Sequence, residues 1–426
     1  MRTPLLLCAA SLLAACGSQP ITDSPNSITI TASQFNEARF RQDIKVLSSD
    51  EFEGRAPTTS GEKKTLKYLT QSFKEMGLVG ANNGEYLQAV PMVSYTTLGE
   101  PKISLGSLSL TAPTDVVIGS RHDVKHIDIK KAPLVFVGYG VNAPEYDWND
   151  YQGLDMMGKI AVILVNDPGF ARPDSGKFNG RAMTYYGRWN YKFEEASRQG
   201  AIGALIVHDT QPASYPWSVV ENSWTGAQQD LANQSSNTES QKVLVEGWIT
   251  LDKAKALFTN SNLNLAQLME KAADGSMNIQ LNQTADINFN NKVEYANSYN
   301  VVATLPGNVQ KDEHILFLAH WDHIGLDKTK TGDQIYNGAL DNASGTAGIL
   351  EIARQFAELK KEGKNLNRSL TFIAATGEEQ GLLGSRFYAN NPLYPINKTV
   401  AVFNLDSTNI YGRTKDYTPR FAPLLG

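Results

Sequence analysis

The sequence predicts an α/β fold, a mostly parallel mixed sheet flanked by helices. Three observations carry this. From about Asn297, short apolar runs alternate with helical patterns, the arrangement that lays parallel strands side by side with helices on both faces. Three of these late runs end directly in imidazole or carboxylate side chains, as strands do when their carboxyl ends build a site. The 426 residues, at roughly 100–200 per domain, allow two or three domains and a large core.

Composition narrows the class. Apolar residues are 41% and charged residues 19%, with 34 Gly and 18 Pro, values that argue against wholesale disorder, a collagen-like fibre or a coiled coil. Lys and Arg number 39 against 44 Asp and Glu, a net charge of −5. With no basic block, the chain lacks the footprint of a nucleic-acid binder. Beyond the first 20 residues no apolar run approaches the ~18 residues of a membrane span.

Taken in order, the chain opens with Met1-Arg2, an apolar stretch from Leu5 to Ala15, then Cys16-Gly17. A basic residue, a short apolar core and small residues before a break make an export signal. Leu13-Ala14-Ala15-Cys16 resembles the bacterial lipobox. That resemblance implies a lipoprotein signal peptide over 1–15, lipid on the Cys16 thiol and residence in the cell envelope, at the outer membrane or the periplasmic side in a Gram-negative cell. The alternative is an ordinary signal peptide with a chance Cys. Cys8 and Cys16 are the two cysteines, so the mature chain is expected to hold no disulfide. Residues 16–34, rich in Ser, Thr, Pro and Asn, read as a tether.

Residues 35–78 carry helical patterning, interrupted by the polar turn Phe52-Glu53-Gly54-Arg55-Ala56-Pro57 and ending near Gly77. A strand-rich stretch follows: Val135–Tyr139, Ile160–Val165 and Ala204–Val207 read as strands, and Phe193–Arg198 as a helix. Residues 225–242, dense in Gln, Asn and Ser, read as an exposed loop. Then come strands over Val301–Leu305 and Ile315–Ala319, a long amphipathic helix over Ser344–Lys361, a buried strand over Leu370–Ala375, a helix over Leu382–Ala389 and a strand over Val400–Asp406.

The strand ends carry the chemistry. Ile315–Ala319 runs into His320-Trp321-Asp322-His323, Leu370–Ala375 into Thr376-Gly377-Glu378-Glu379, and the last strand into Asp406. Between them, Gly338-Ala339-Leu340-Asp341-Asn342-Ala343-Ser344-Gly345 opens the long helix. Imidazole and carboxylates without thiolate suit zinc, manganese or a similar divalent ion. The adjacent Glu378 and Glu379 would repel each other. A cation removes the conflict if one ligates while the other serves as a base. Asp322 is placed to hold the second nitrogen of His320. Singly, each piece reads as a turn, a cap or a solvated acidic loop; their joint order points to a metal site.

His320-Trp321-Asp322, Asp341-Asn342-Ala343-Ser344-Gly345, Gly377-Glu378-Glu379-Gln380-Gly381-Leu382-Leu383-Gly384-Ser385 and Asn404-Leu405-Asp406 resemble, in order and spacing, the motifs of the co-catalytic zinc aminopeptidases, metallopeptidase family M28. Phe52-Glu53-Gly54-Arg55 is similar to that family's catalytic-domain start. The resemblance implies a zinc exopeptidase fold and two zinc ions bridged by Asp341, with a cis bond to Asn342. It places His320 and Asp406 on one ion and Glu379 on the other, with Glu378 as general base and Asp322 supporting His320. His323 is left open between lining the pocket, supporting a ligand and a plain surface place. Leu340 stands where many relatives have a further Asp.

Gly138-Tyr139-Gly140-Val141, Trp148-Asn149-Asp150-Tyr151, Gly158-Lys159-Ile160-Ala161-Val162 and Ala201-Ile202-Gly203-Ala204 resemble a β-rich protease-associated insert. The implied division is 35–125 as the first part of the peptidase domain, 126–290 as the insert and 291–426 as the zinc-peptidase core. His122, His126 and His208 then fall to packing or surface roles. The implied activity is a zinc-dependent aminopeptidase acting on peptide substrates. The alternatives are a binding module with impaired catalysis, or a carboxypeptidase or glutaminyl cyclase on the same scaffold. The family also needs a late His to finish the Glu379 site, and the last His is His323. The expectation is therefore a truncated chain, or a frame shifted near Thr418, with one metal site incomplete and a sheet edge exposed.

Overall fold

The protein is described here from a computed structural model covering residues 35–232, 242–327 and 330–408. The signal segment, Cys16, the tether and the Thr418 region lie outside the described residues. Helices α1 (Glu37–Leu47) and α2 (Ser60–Met76) flank a 3-10 turn over Asp50–Arg55. The Asn36 side chain caps α1 by accepting from the Arg39 N–H. Gly77, at φ 82°, closes α2 in the left-handed conformation. There follow β1 (Leu87–Leu105), β2 (Val116–Gly119), β3 (His126–Phe136), β4 (Ile160–Leu164), α3 (Trp189–Arg198), β5 (Gly203–His208), β6 (Ala227–Leu231) and β7 (Val245–Thr250). The last third holds β8 (Ile279–Leu305), β9 (Gln310–His320), α4 (Ser344–Lys361), β10 (Arg368–Ala375), α5 (Leu383–Asn390) and β11 (Thr399–Asn404).

The strands join one mixed sheet in the order β11-β9-β10-β8-β3-β4-β5-β7-β2. Strand β9 is parallel to both β10 and β11. The run β3-β4-β5-β7 is also parallel. The 27-residue β8 pairs antiparallel with β10, β1 and β3 and so serves both halves. This is the α/β sheet with flanking helices that the alternating pattern predicts.

Burial on both faces explains why the strands read as continuous apolar runs. Side chains alternate across a strand. Leu134 and Phe136 enter one core while Val135 and Val137 enter another. Ile160, Val162 and Leu164 likewise oppose Ala161 and Ile163. In the last third, Leu370, Phe372 and Ala374 face α2 and α4, and Ile373 and Ala375 face the opposite side. Ile103, Val116 and Ile118 already belong to the core of the middle region, so the chain enters that core upstream of residue 126.

One stretch departs from the sequence reading. The segment 225–242 was expected as a loop, yet 227–231 is a strand paired antiparallel with β1, from Ala227 opposite Thr96 to Leu231 opposite Met92. Its buried Asp230 is neutralised by Lys242 and Arg121. Tertiary ion pairing, invisible to local composition, overrides the polar pattern. Residues 233–241 lie outside the described residues.

Phe372 is fully buried and stacks on Phe317 at 5.3 Å between ring centroids, with Phe73 at 6.2 Å. Replacing it with Ala is expected to cost about 3–5 kcal/mol, read as a lowered urea midpoint; an unchanged midpoint would place that ring outside the core.

Candidate metal centre

Four segments meet at the carboxyl edge of β9, β10 and β11. Strand β9 delivers His320 as its last residue, the exit of β10 delivers Glu378 and Glu379, and the exit of β11 delivers Asp406. The turn before α4 delivers Asp341. Its peptide bond to Asn342 is cis.

His320 is buried. Its Nε2 lies 3.1 Å from Asp341 Oδ1, 3.5 Å from Asp406 Oδ1 and 3.8 Å from Glu378 Oε2. Among the described residues, neither His320 Nε2 nor Asp341 Oδ1 has a hydrogen-bond partner, although both atoms are buried. Ligand atoms of His320, Asp341 and Asp406 fall within 4.8 Å of one another, and so do those of His323, Asp341 and Glu379. Asp341 is common to both trios. His323 Nδ1 sits 2.5 Å from Glu379 Oε1.

The four predicted ligands, Asp341, His320, Glu379 and Asp406, are thus brought together, and the proposed base Glu378 stands beside them. Two details refine the expectation. His323, left open by the sequence, joins Glu379 and Asp341, so the second trio has three donors where an incomplete set was expected. The turn after β9 folds this residue back over Glu379, which spacing alone does not reveal. Asp322 lies against His320 as the sequence suggests, with its carboxylate 3.7 Å from Nδ1. His320 Nδ1 is nearest the Asp322 backbone carbonyl, at 3.1 Å. The Asp322 carboxylate instead accepts the N–H groups of Glu378 at 3.1 Å and Glu379 at 3.4 Å. An Nδ1–H directed to that carbonyl would leave the Nε2 lone pair to face a bound cation.

Other buried polar groups fix the loops. Asn342 donates to the Leu405 carbonyl at 2.9 Å and accepts from the N–H groups of Gly345 at 2.9 Å and Ser407 at 3.3 Å. It therefore ties the start of α4 to the strand exit bearing Asp406. Thr346 Oγ1 donates to the His320 carbonyl at 2.8 Å. Outside the centre, His122, His126 and His208 bond Lys242 O, Asn290 Oδ1 and Tyr215 O respectively.

The electrostatics show excess negative charge. Burial lifts Glu378 to about 7; His320 opposes this, while Asp322, Glu379 and Asp406 add to it. Burial favours neutral His320, but the nearby Asp322 and Asp341 and the charge of Glu378 outweigh it and raise the group to about 11. His320 in turn holds Asp341 below the usual carboxylate range despite partial burial. Orphaned donor atoms, two imidazoles and clustered carboxylates without thiolate fit a zinc-type divalent ion. His320, His323, Asp341, Glu379 and Asp406 would hold it.

An α/β sheet that delivers such side chains from parallel strand ends defines a candidate metal-site scaffold. Residues 300–424 match Peptidase family M28. Aminopeptidase NAALADL1 of Rattus norvegicus is 30% identical over 423 residues, spanning 88% of this chain and 53% of the relative. A probable zinc metalloprotease of Pyrenophora teres f. teres (strain 0-1) is 38% identical over 107 residues, 25% of this chain and 22% of that protein. The aminopeptidase from Aneurinibacillus sp. strain AM-1 shares the fold, with a TM-score of 0.50 and 22% identity over 88% of this chain and 71% of its own. The family M28 match thus covers the last third of the chain, which spans about half the length of the rat relative.

Beneath the centre, buried Glu62 accepts from the Thr58 N–H and from Ser298 Oγ at 3.1 Å. Ser298 Oγ meets Thr376 Oγ1 at 2.6 Å, two residues before Glu378. Burial raises Glu62 from 4.5 to about 7, with the Thr58 and Ser298 hydrogen bonds opposing. An acid whose pKa rises on folding stabilises the fold below its unfolded value and loses that contribution as pH climbs through the folded one. Relative to the parent, Glu62→Gln is expected to gain about 1–3 kcal/mol of stability between pH 4.5 and 7, measured by urea unfolding at both ends of that window. A constant difference across the window would remove Glu62 as the titrating group.

Proposed function

We propose that the chain is a zinc-dependent exopeptidase, specifically an aminopeptidase, that hydrolyses peptide bonds with two cations held side by side. The observation that carries this is Asp341, shared between the His320–Asp406 trio and the His323–Glu379 trio. Zinc supplies Lewis acidity toward the scissile carbonyl and lowers the pKa of attacking water. Glu378, largely buried beside His320 and lifted toward neutrality, takes the proton of the attacking water and returns it to the departing amine. Asp322 holds Glu378 by its backbone N–H and His320 by its carbonyl, so base and ligand keep a fixed separation. The kinship with named aminopeptidases supports attack at the amino-terminal end.

Within this reading, 126–290 serve as a protease-associated insert that shapes the approach to the centre. Its strand β6 supports that role: the Gln229 N–H donates to Gln380 Oε1 at 3.1 Å, and Leu231 packs with Leu383. The leader stays part of the proposal, with lipid on Cys16 and residence in the cell envelope, on the strength of Leu13-Ala14-Ala15-Cys16.

The zinc stoichiometry of the purified chain is expected to be two, falling in Asp341→Asn. Glu378→Gln is expected to lower kcat on aminoacyl chromogenic substrates about 10²–10⁴-fold while the zinc content stays. A chelator should abolish the parent activity. Cleavage confined to carboxy-terminal substrates would overturn the aminopeptidase assignment, and an unchanged Glu378→Gln rate would overturn the role of that residue. In cells, Cys16→Ser is expected to move the chain from the membrane fraction to the soluble one; unaltered fractionation would sink the lipid anchor.

A further inference from the structure

We propose that Arg55 is a positioning residue for the metal centre, its guanidinium clamping the backbone on either side of the two ligand-bearing loops. The inference rests on the two-cation reading above. Arg55 is fully buried, on a turn that belongs to neither ligand loop. Its Nε donates to the Trp321 carbonyl at 2.9 Å, between His320 and Asp322. Nη1 donates to Asn337 O at 2.7 Å and to Leu47 O, and Nη2 donates to Gly338 O at 2.8 Å. One rigid plane therefore holds the β9 exit, which carries His320 and His323, against the turn that carries Asp341. A planar fork of five donors does this; an ammonium, with three donors on one atom, does not.

The surrounding packing leaves the clamp no slack. Glu53, Gly54 and Arg55 are consecutive left-handed residues, at φ 51°, 66° and 53°. A Cβ on Gly54 would strike the carbonyl oxygens of Tyr336 and Gly325. On the other side, a Cβ on Gly338, itself at φ 59°, would lie 2.6 Å from Arg55 Nη2, Asp341 O and His323 Cγ alike. Guanidinium, shared ligand and second imidazole thus meet around one glycine. The cationic head also faces the charges of Asp322, Glu379 and Asp341, so it offsets carboxylate repulsion in the cluster while holding its backbone.

The test replaces zinc by cobalt(II), whose visible absorption reports the donor set, and uses the purified chain. Arg55→Lys keeps the charge and loses the fork. The variant is expected to keep the parent's far-ultraviolet circular dichroism, bind cobalt about 10–100-fold more weakly and shift the absorption bands. Arg55→Lys with the parent's affinity and spectrum would overturn the proposal. If Arg55→Lys does not fold, Gly338→Ala takes its place with the same readings, because it leaves Arg55 present and presses a methyl between Nη2 and the His323 ring. If neither variant folds, Arg55 supports the domain as a whole, and the positioning role is overturned. A parent chain that binds no cobalt would instead sink the two-cation reading, an outcome separate from any Arg55 result.

Discussion

Carboxylate crowding is the constraint on which the centre depends. Asp341, Glu378 and Asp406 stand within 4 Å of His320 Nε2, and Glu379 adds another charge through its contact with His323. Such a set repels itself in a partly dry setting. The backbone must therefore hold the ligands before a cation can reward their closeness. The fold does this with side chains outside the candidate ligand set. Asp322 joins the exits of β9 and β10 by accepting two N–H groups. Asn342 joins the start of α4 to the exit of β11, and Thr346 pins the His320 carbonyl. Each is buried and each satisfies backbone groups that a loop would otherwise leave unpaired.

The division between ligands and holders explains what was legible in the sequence. Ligands at parallel-strand ends follow a local signature: an apolar run and then an acid or imidazole. His320, Glu379 and Asp406 could be read that way, and Asp341 by its place before a long amphipathic helix. Holders have no such signature. Arg55 lies 266 residues before Trp321, whose carbonyl it binds. His323 was left open between pocket and surface; its pairing with Glu379 follows from a backbone turn that no periodicity encodes. Asp322 was assigned to the right imidazole; spacing cannot say which of its groups lies nearer Nδ1, the carbonyl at 3.1 Å or the carboxylate at 3.7 Å.

The same logic applies to the sheet. Strands buried on both faces advertise themselves by apolar runs, so β4, β5 and β10 were visible. Strand β6 was not, because its buried positions include Gln229 and Asp230. Asp230 is tolerated there because Arg121 and Lys242 stand against it, partners from other parts of the chain. Burial of a polar strand is a tertiary fact, and local composition reads it as solvent exposure.

These long-range ties also bear on how the centre comes to exist. The α1 segment docks on α4 through Asp43, which accepts from Arg354 at 2.5 and 3.1 Å across 311 residues. The backbone N–H of Asn36 reaches Glu351 across 315. Arg55 reaches Gly338 across 283. Contacts of such separation carry a large loop-closure cost and form after local ones. The parallel trio β9, β10 and β11 can bring its ends near one another, but the fixed spacing of His320, His323 and Asp341 requires the amino-terminal turn to return. Residues 36–55 are thus not an appendage to the sheet. They close the structure that the candidate metal site needs.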